Sequence, residues 1–141
     1  MRISDVMTTD LITCESTASV TECASLMKKF NIGACLITQN NKLAGIMTDR
    51  DIVLRLVAEN ISPSESKCKD FMTQSPVTIT PDTDIHLAAS IMAEHQIRRL
   101  PVVQDDKLVG ICTLGDLAVE ATPEAEAVLE QVSKPIRKEV A

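Results

Sequence analysis

Aromatic residues are nearly missing from this chain. Among 141 residues there are two phenylalanines, Phe30 and Phe71, and neither tryptophan nor tyrosine, so there is no platform on which single-stranded bases could stack. Clustered positive charge is lacking as well. Fourteen Lys and Arg stand against 20 Asp and Glu, a net charge of -6, which is poorly matched to a phosphate backbone; no nucleic-acid partner is expected. The five cysteines (Cys14, Cys23, Cys35, Cys68 and Cys112) are odd in number and contain no Cys-x-x-Cys pair. That argues against a disulfide framework and a zinc knuckle and leaves them as small hydrophobes. His86 and His95 are isolated in the sequence, so no metal site is expected. No apolar run approaches the length of a membrane span, and the opening MRISDVMTTD has neither the basic region nor the apolar segment of a secretory signal. The expectation is a cytoplasmic protein without a membrane partner. Catalytic patterns are missing too: there is no Walker loop, no His-Glu-x-x-His and no Ser-His-Asp order. Asp49 and Asp51 lie two apart at an expected helix start and point in different directions. No enzyme, no catalytic residue and no required cofactor is expected.

What is present is a repeat. With 45% hydrophobic and 24% charged residues the composition is globular, and the length suits one compact unit. Sliding the chain on itself by 65 residues places Asp5–Leu54 on Asp70–Val119, and fifteen of those fifty positions are identical, among them Met7/Met72, Thr13/Thr78, Gly45/Gly110, Thr48/Thr113 and Asp51/Asp116. That is an internal duplication. Each copy reads as a short strand (Ile12–Cys14, Val77–Ile79), a helix with its N-cap at Ser19 or Asp84, a hairpin and a second helix. Ser19 with Glu22 three residues on has the form of a capping box. Apolar residues at Val20, Cys23, Ala24 and Met27, and at Ile85, Ala88, Ala89 and Met92, give each first helix one buried face. The hairpins pair Ala34–Thr38 with Leu43–Met47 and Leu100–Val103 with Leu108–Cys112 across the polar turns QNNK and QDDK. The second helices run to about Glu59 and Glu120. The expected fold class is α+β, tandem β-α-β-β-α repeats packed sheet to sheet with pseudo-twofold symmetry, since one such unit alone would be marginal. The expected organisation is a first repeat over residues 1–60, a Ser- and Pro-bearing linker over 61–68, a second repeat over 69–121, and a C-terminal helix and tail over 122–141. Thr122-Pro123 supplies the cap of that helix, which reaches about Val132.

The duplicated unit, the VMT and FMT openings, the RRLPVV strand and the two Gly-h-x-Thr-x-x-Asp endings together resemble a pair of CBS domains (a Bateman module) over Asp5 to Ala121. GIMTDRDIV and EHQIRRLPVV are similar to stretches of small bacterial proteins that consist of such a pair alone. The resemblance implies a disc-like homodimer, adenosyl ligands (AMP, ADP, ATP or S-adenosylmethionine) as effectors in clefts between the repeats, and a regulatory role toward a protein the sequence does not name.

Thr48-x-x-Asp51 and Thr113-x-x-Asp116 carry two compatible readings. As capping boxes they stabilise helix starts by about 1 kcal/mol each. As ligand groups, the threonine hydroxyl joins helix N–H groups that favour phosphate, and the aspartate accepts ribose hydroxyls. The resemblance assigns ribose and phosphate contacts to these four residues. Arg98 and Arg99 stand where the family often has a phosphate-binding base, and the first copy has Gly33 and Ala34 there; conversely Arg50 stands opposite Gly115. Strand alternation turns one of Arg98 and Arg99 into a cleft. Thr13, Cys14, Thr78, Ile79, Leu36 and Pro101 are the apolar or small edges that could flank an adenine. The competing reading is a ligand-free interaction or stress-response protein acting through its surface, with Cys14 and Cys35 as a redox-sensitive variant. Apolar residues on more than one side of DIVLRLVAEN lead to the expectation of a homodimer.

Overall fold

The computed structural model describes residues 1–120 and Gln131. The C-terminal helix and tail expected from Thr122 onward lie outside the described residues, Gln131 excepted. The elements in order are β1 (Thr13–Glu15), α1 (Val20–Phe30), β2 (Ala34–Gln39), β3 (Lys42–Thr48), α2 (Asp49–Ile52), α3 (Cys68–Phe71), β4 (Thr73–Gln74), α4 (Ile85–His95), β5 (Arg99–Gln104), β6 (Lys107–Thr113) and α5 (Leu114–Glu120). The architecture is mixed α and β, and the β-α-β-β-α order recurs.

The described residues form two compact units, one built on Asp10–Val77 with Asp105–Leu108 and the other on Met1–Thr9, Thr78–Gln104 and the residues from Val109 to Glu120. The units are offset from the sequence copies. In the first, the sheet order is β1-β2-β3-β4: β1 runs parallel to β2, and β3 is antiparallel to both β2 and β4. Its edge strand β4 therefore comes from the opening of the second sequence copy. The second unit has the reciprocal arrangement. Ile79 bridges Val102 in parallel, β5 and β6 form the hairpin, and Thr8 bridges Ile111 antiparallel, with Thr8 and Ile111 exchanging backbone hydrogen bonds of 2.9 Å. Each unit thus takes its fourth strand from the residues that lead into the other copy.

Local chemistry accounts for the elements. Both hairpins turn on two residues with positive φ, Asn40 and Asn41 at 53° and 65°, Asp105 and Asp106 at 52° and 63°. That is the tight-turn geometry whose twist suits a hairpin and that Asn and Asp tolerate. Ser19 caps α1 by accepting from Glu22 N at 3.1 Å; the Glu22 carboxylate returns no bond, so only the serine half of the expected box forms. Asp84 caps α4 by accepting from His86 N at 2.8 Å. The expected strand Val77–Ile79 shrinks to a single bridge at Ile79; Pro76 and Pro81 bracket it, and neither has an N–H for a ladder. The expected linker is pinned to its unit: Val20 N donates to Ser66 O at 2.8 Å and Cys68 N to Ala18 O at 2.9 Å. The helix expected to reach Glu59 is α-helical only through Ile52 and continues as a π-helical turn over Val53–Val57, where Ala58 N donates to Val53 O at 2.8 Å.

The first unit's core gathers Cys14, Val20, Cys23, Met27, Cys35, Ile37, Met47, Leu56 and Cys68. At the positions equivalent to Cys14, Cys23, Cys35 and Cys68 the second unit buries Ile79, Ala88, Leu100 and Ile3. The exchange of thiols for aliphatic groups identifies the cysteines as packing residues.

Candidate functional site

Both Thr-x-x-Asp motifs fold as reciprocal caps at a strand-to-helix junction. Thr48 Oγ1 accepts from Asp51 N at 3.1 Å while Asp51 Oδ2 accepts from Thr48 N at 3.0 Å. In the second unit Thr113 Oγ1 accepts from Asp116 N at 3.1 Å and Asp116 Oδ2 from Thr113 N at 2.9 Å. The start of the preceding hairpin is tied to each junction by one backbone bond: Asp49 N donates to Gly33 O and Leu114 N to Arg98 O, both at 2.9 Å.

The registers collect the remaining candidates around these junctions. In the first unit Thr13 sits opposite Leu36 and Ala34 opposite Thr48. In the second, Ile79 N donates to Pro101 O at 3.0 Å, which sets Thr78 and Ile79 beside Pro101, and the Leu114–Arg98 bond sets Arg98 and Arg99 beside Thr113 and Asp116. Thr13, Thr78, Arg50 and Arg98 are exposed, Arg99 is half-buried, and Cys14, Leu36, Ile79 and Pro101 are buried. Cys14 belongs to the first unit's core, so its side chain serves packing.

The two junctions differ at atomic detail. At the first, Asp49 N is taken by Gly33 O, Arg50 N by Asp49 Oδ1 at 2.8 Å and Asp51 N by Thr48 Oγ1, so the helix start has no amide to spare. Asp51 Oδ1 also faces Arg55 Nη2 at 3.6 Å. At the second, Leu114 replaces the aspartate that claims the second amide. Among the described residues no acceptor lies on Gly115 N, and no basic side chain pairs with Asp116 Oδ1. Gly115 is exposed, and a Cβ built there would come no closer than 3.6 Å to its neighbours, the nearest atom being Thr113 Oγ1. An unclaimed N–H, a carboxylate oxygen and two nearby arginines suit a ligand carrying both phosphate and hydroxyl groups.

The sequence reading missed two features. Arg55 was legible as the basic partner four residues after Asp51. The unclaimed Gly115 amide was legible as Leu114 standing where the first copy has Asp49. All five cysteines are buried and outside any disulfide. Burial, chiefly, pushes the Cys14 thiol up from 9.0 to about 12; Cys112 reaches about 12 through burial and then the Asp116 carboxylate. A thiol hydrogen bond with Cys35, ahead of burial, puts Cys23 at about 12, and one with Cys23 leads the upward shift of Cys68. Among the described residues no group of three His, Cys, Asp or Glu could hold a metal ion, and no helix is long and apolar enough to cross a membrane.

Comparison with known proteins matches this architecture. The sequence profile of the CBS domain matches residues 3–58 and 68–121. The uncharacterized protein YlbB of Bacillus subtilis is 41% identical over 142 residues, covering 98% of this chain and 95% of that protein. A conserved CBS domain protein of Thermoplasma acidophilum superposes with a TM-score of 0.83 at 23% identity, covering 93% of this chain and 75% of that one. A hexameric CBS-CP12 protein from bloom-forming cyanobacteria superposes with a TM-score of 0.76 at 24% identity, covering 99% and 75%.

Proposed function

The chain belongs to the CBS-domain family, and from that membership we propose that it is a non-catalytic regulatory module that binds a phosphorylated adenosine ligand, or S-adenosylmethionine, at the Thr113–Asp116 junction and passes the bound state to a partner protein. The observation that carries the choice of junction is that, among the described residues, the Gly115 N–H has no acceptor and Asp116 Oδ1 has no basic partner. In this reading the Gly115 amide and Thr113 hydroxyl receive phosphate, Asp116 Oδ1 accepts from ribose, and one of Arg98 and Arg99 adds a charge-assisted bond that Gly33 and Ala34 cannot supply. Ile79 and Pro101 edge the base. Arg50 is the competing phosphate group at the first junction. Nothing in the proposed site pairs a nucleophile with a positioned base, so binding without turnover is the expected chemistry.

Titration calorimetry with AMP and ATP on the parent and on Arg98→Ala, Arg99→Ala, Arg50→Ala and Asp116→Ala tests this. A charge-assisted bond contributes about 1.5–3 kcal/mol, so loss of the productive strand arginine should weaken binding by roughly tenfold to over a hundredfold. Arg50→Ala should leave it unchanged. If Arg50→Ala abolishes binding while both strand variants bind normally, the assignment is reversed.

The alternative, a ligand-free interaction protein, draws on one observation: both threonines and both Oδ2 atoms are already satisfied as caps. Absence of binding by any adenosine compound at millimolar concentration would favour it.

A further inference from the structure

We propose that Arg55 closes the first junction, so that each chain takes one equivalent of nucleotide and not two; this rests on the adenosine-binding reading above. A carboxylate that holds a ribose needs an outward oxygen. Asp51 has spent Oδ2 on Thr48 N, and the remaining Oδ1 faces the Arg55 guanidinium at 3.6 Å. The guanidinium is held in place from elsewhere in the same unit: Arg55 Nη1 donates to Phe71 O at 2.7 Å and Nη2 to Thr73 Oγ1 at 3.4 Å. Three acceptors in two segments fix a planar fork far better than one surface ion pair would. The ion pair at 3.6 Å is the longest of the three contacts, and the other two anchor the guanidinium to Phe71 and Thr73 where it faces Asp51. The second copy cannot reproduce the device, because residue 120, equivalent to 55, is glutamate. Asp116 Oδ1 accordingly has no basic partner among the described residues. The duplication thus supplies two Thr-x-x-Asp motifs, and arginine at residue 55 against glutamate at residue 120 separates their aspartates into a paired and an unpaired one among the described residues.

Calorimetry of the full chain with AMP reads this as stoichiometry, a quantity that a merely structural arginine would not move. The parent should take one equivalent per chain, lost in Asp116→Ala and retained in Asp51→Ala. Arg55→Ala, with Arg55→Gln as the milder variant should the first fold poorly, should take a second equivalent that Asp51→Ala removes. A parent that takes two equivalents overturns the inference, as does a parent whose single equivalent is lost in Asp51→Ala, or folded Arg55 variants that stay at one; each of these leaves adenosine binding itself standing. No binding by parent or Arg55 variants at millimolar AMP overturns both readings together. No binding by the parent with one equivalent gained in the Arg55 variants overturns the one-equivalent count and the choice of the second junction.

Discussion

At the scale of single residues, Thr48, Asp51, Thr113 and Asp116 illustrate how one geometry serves two ends. The threonine oxygen and one aspartate oxygen satisfy backbone N–H groups, and the second aspartate oxygen is left for other partners. Thr113→Ala should therefore lower the stability of the ligand-free protein by about 1 kcal/mol in denaturant unfolding, since the cap is lost. The cysteines give a second residue-scale prediction. With every thiol buried, a thiol-specific reagent at pH 8 should label none of the five in the native protein and all five after unfolding. Fast native labelling of Cys14 or Cys35 would favour the redox reading. Folded-state values raised from 9.0 to about 12 at Cys14, Cys23 and Cys112 mean that the unfolded chain loses those protons first. The stabilisation is complete below pH 9 and is lost as pH rises from 9 toward 12. The denaturation midpoint should accordingly fall between pH 8 and pH 11.

At the scale of elements, the crossed edge strands depend on two glycines. A Cβ at Gly45 would meet Met72 Sδ at 2.5 Å and Thr73 O at 2.6 Å, and one at Gly110 would meet Met7 Sδ at 2.6 Å and Thr8 O at 3.1 Å. The methionine sulfur can swing away; the backbone oxygen of a paired strand cannot. Gly45→Ala should destabilise by about 3 kcal/mol and Gly110→Ala by nearer 1 kcal/mol, within the usual range for overpacking. Thermal unfolding of the two variants checks the order, and equal effects would show that the strands adjust freely. The same contrast explains what was legible in the sequence. Caps and hairpins were, because Ser19, Asp84, Asn40-Asn41 and Asp105-Asp106 act within a few residues of themselves. The edge strands were not: β4 is two residues long and its counterpart is one bridge at Thr8, too short for any alternation to register, and their partners are distant in sequence. Identity of Gly45 with Gly110 and of Met7 with Met72 was the visible trace of that pairing. The π-helical turn after Ile52 left no trace, since periodicity alone does not separate it from α-helix.

At the scale of the whole molecule, the π-helical turn leaves Val53, Leu54 and Val57 exposed by 53%, 48% and 60% beside buried Leu56. Apolar groups so placed are best covered by a second copy. The parent should sediment as a dimer at micromolar concentration and Leu54→Glu with Val57→Glu as a monomer; a monomeric parent would refute the assembly. Binding of phosphorylated adenosine at the second junction, as proposed, can be read at a single amide. The chain has only four glycines, so the Gly115 amide can be followed in a heteronuclear NMR titration with AMP. Phosphate reaching the Gly115 N–H should give a saturable shift of that resonance, absent in Asp116→Ala. A Gly115 resonance that stays fixed at millimolar AMP, or one that moves equally in Asp116→Ala, would contradict it.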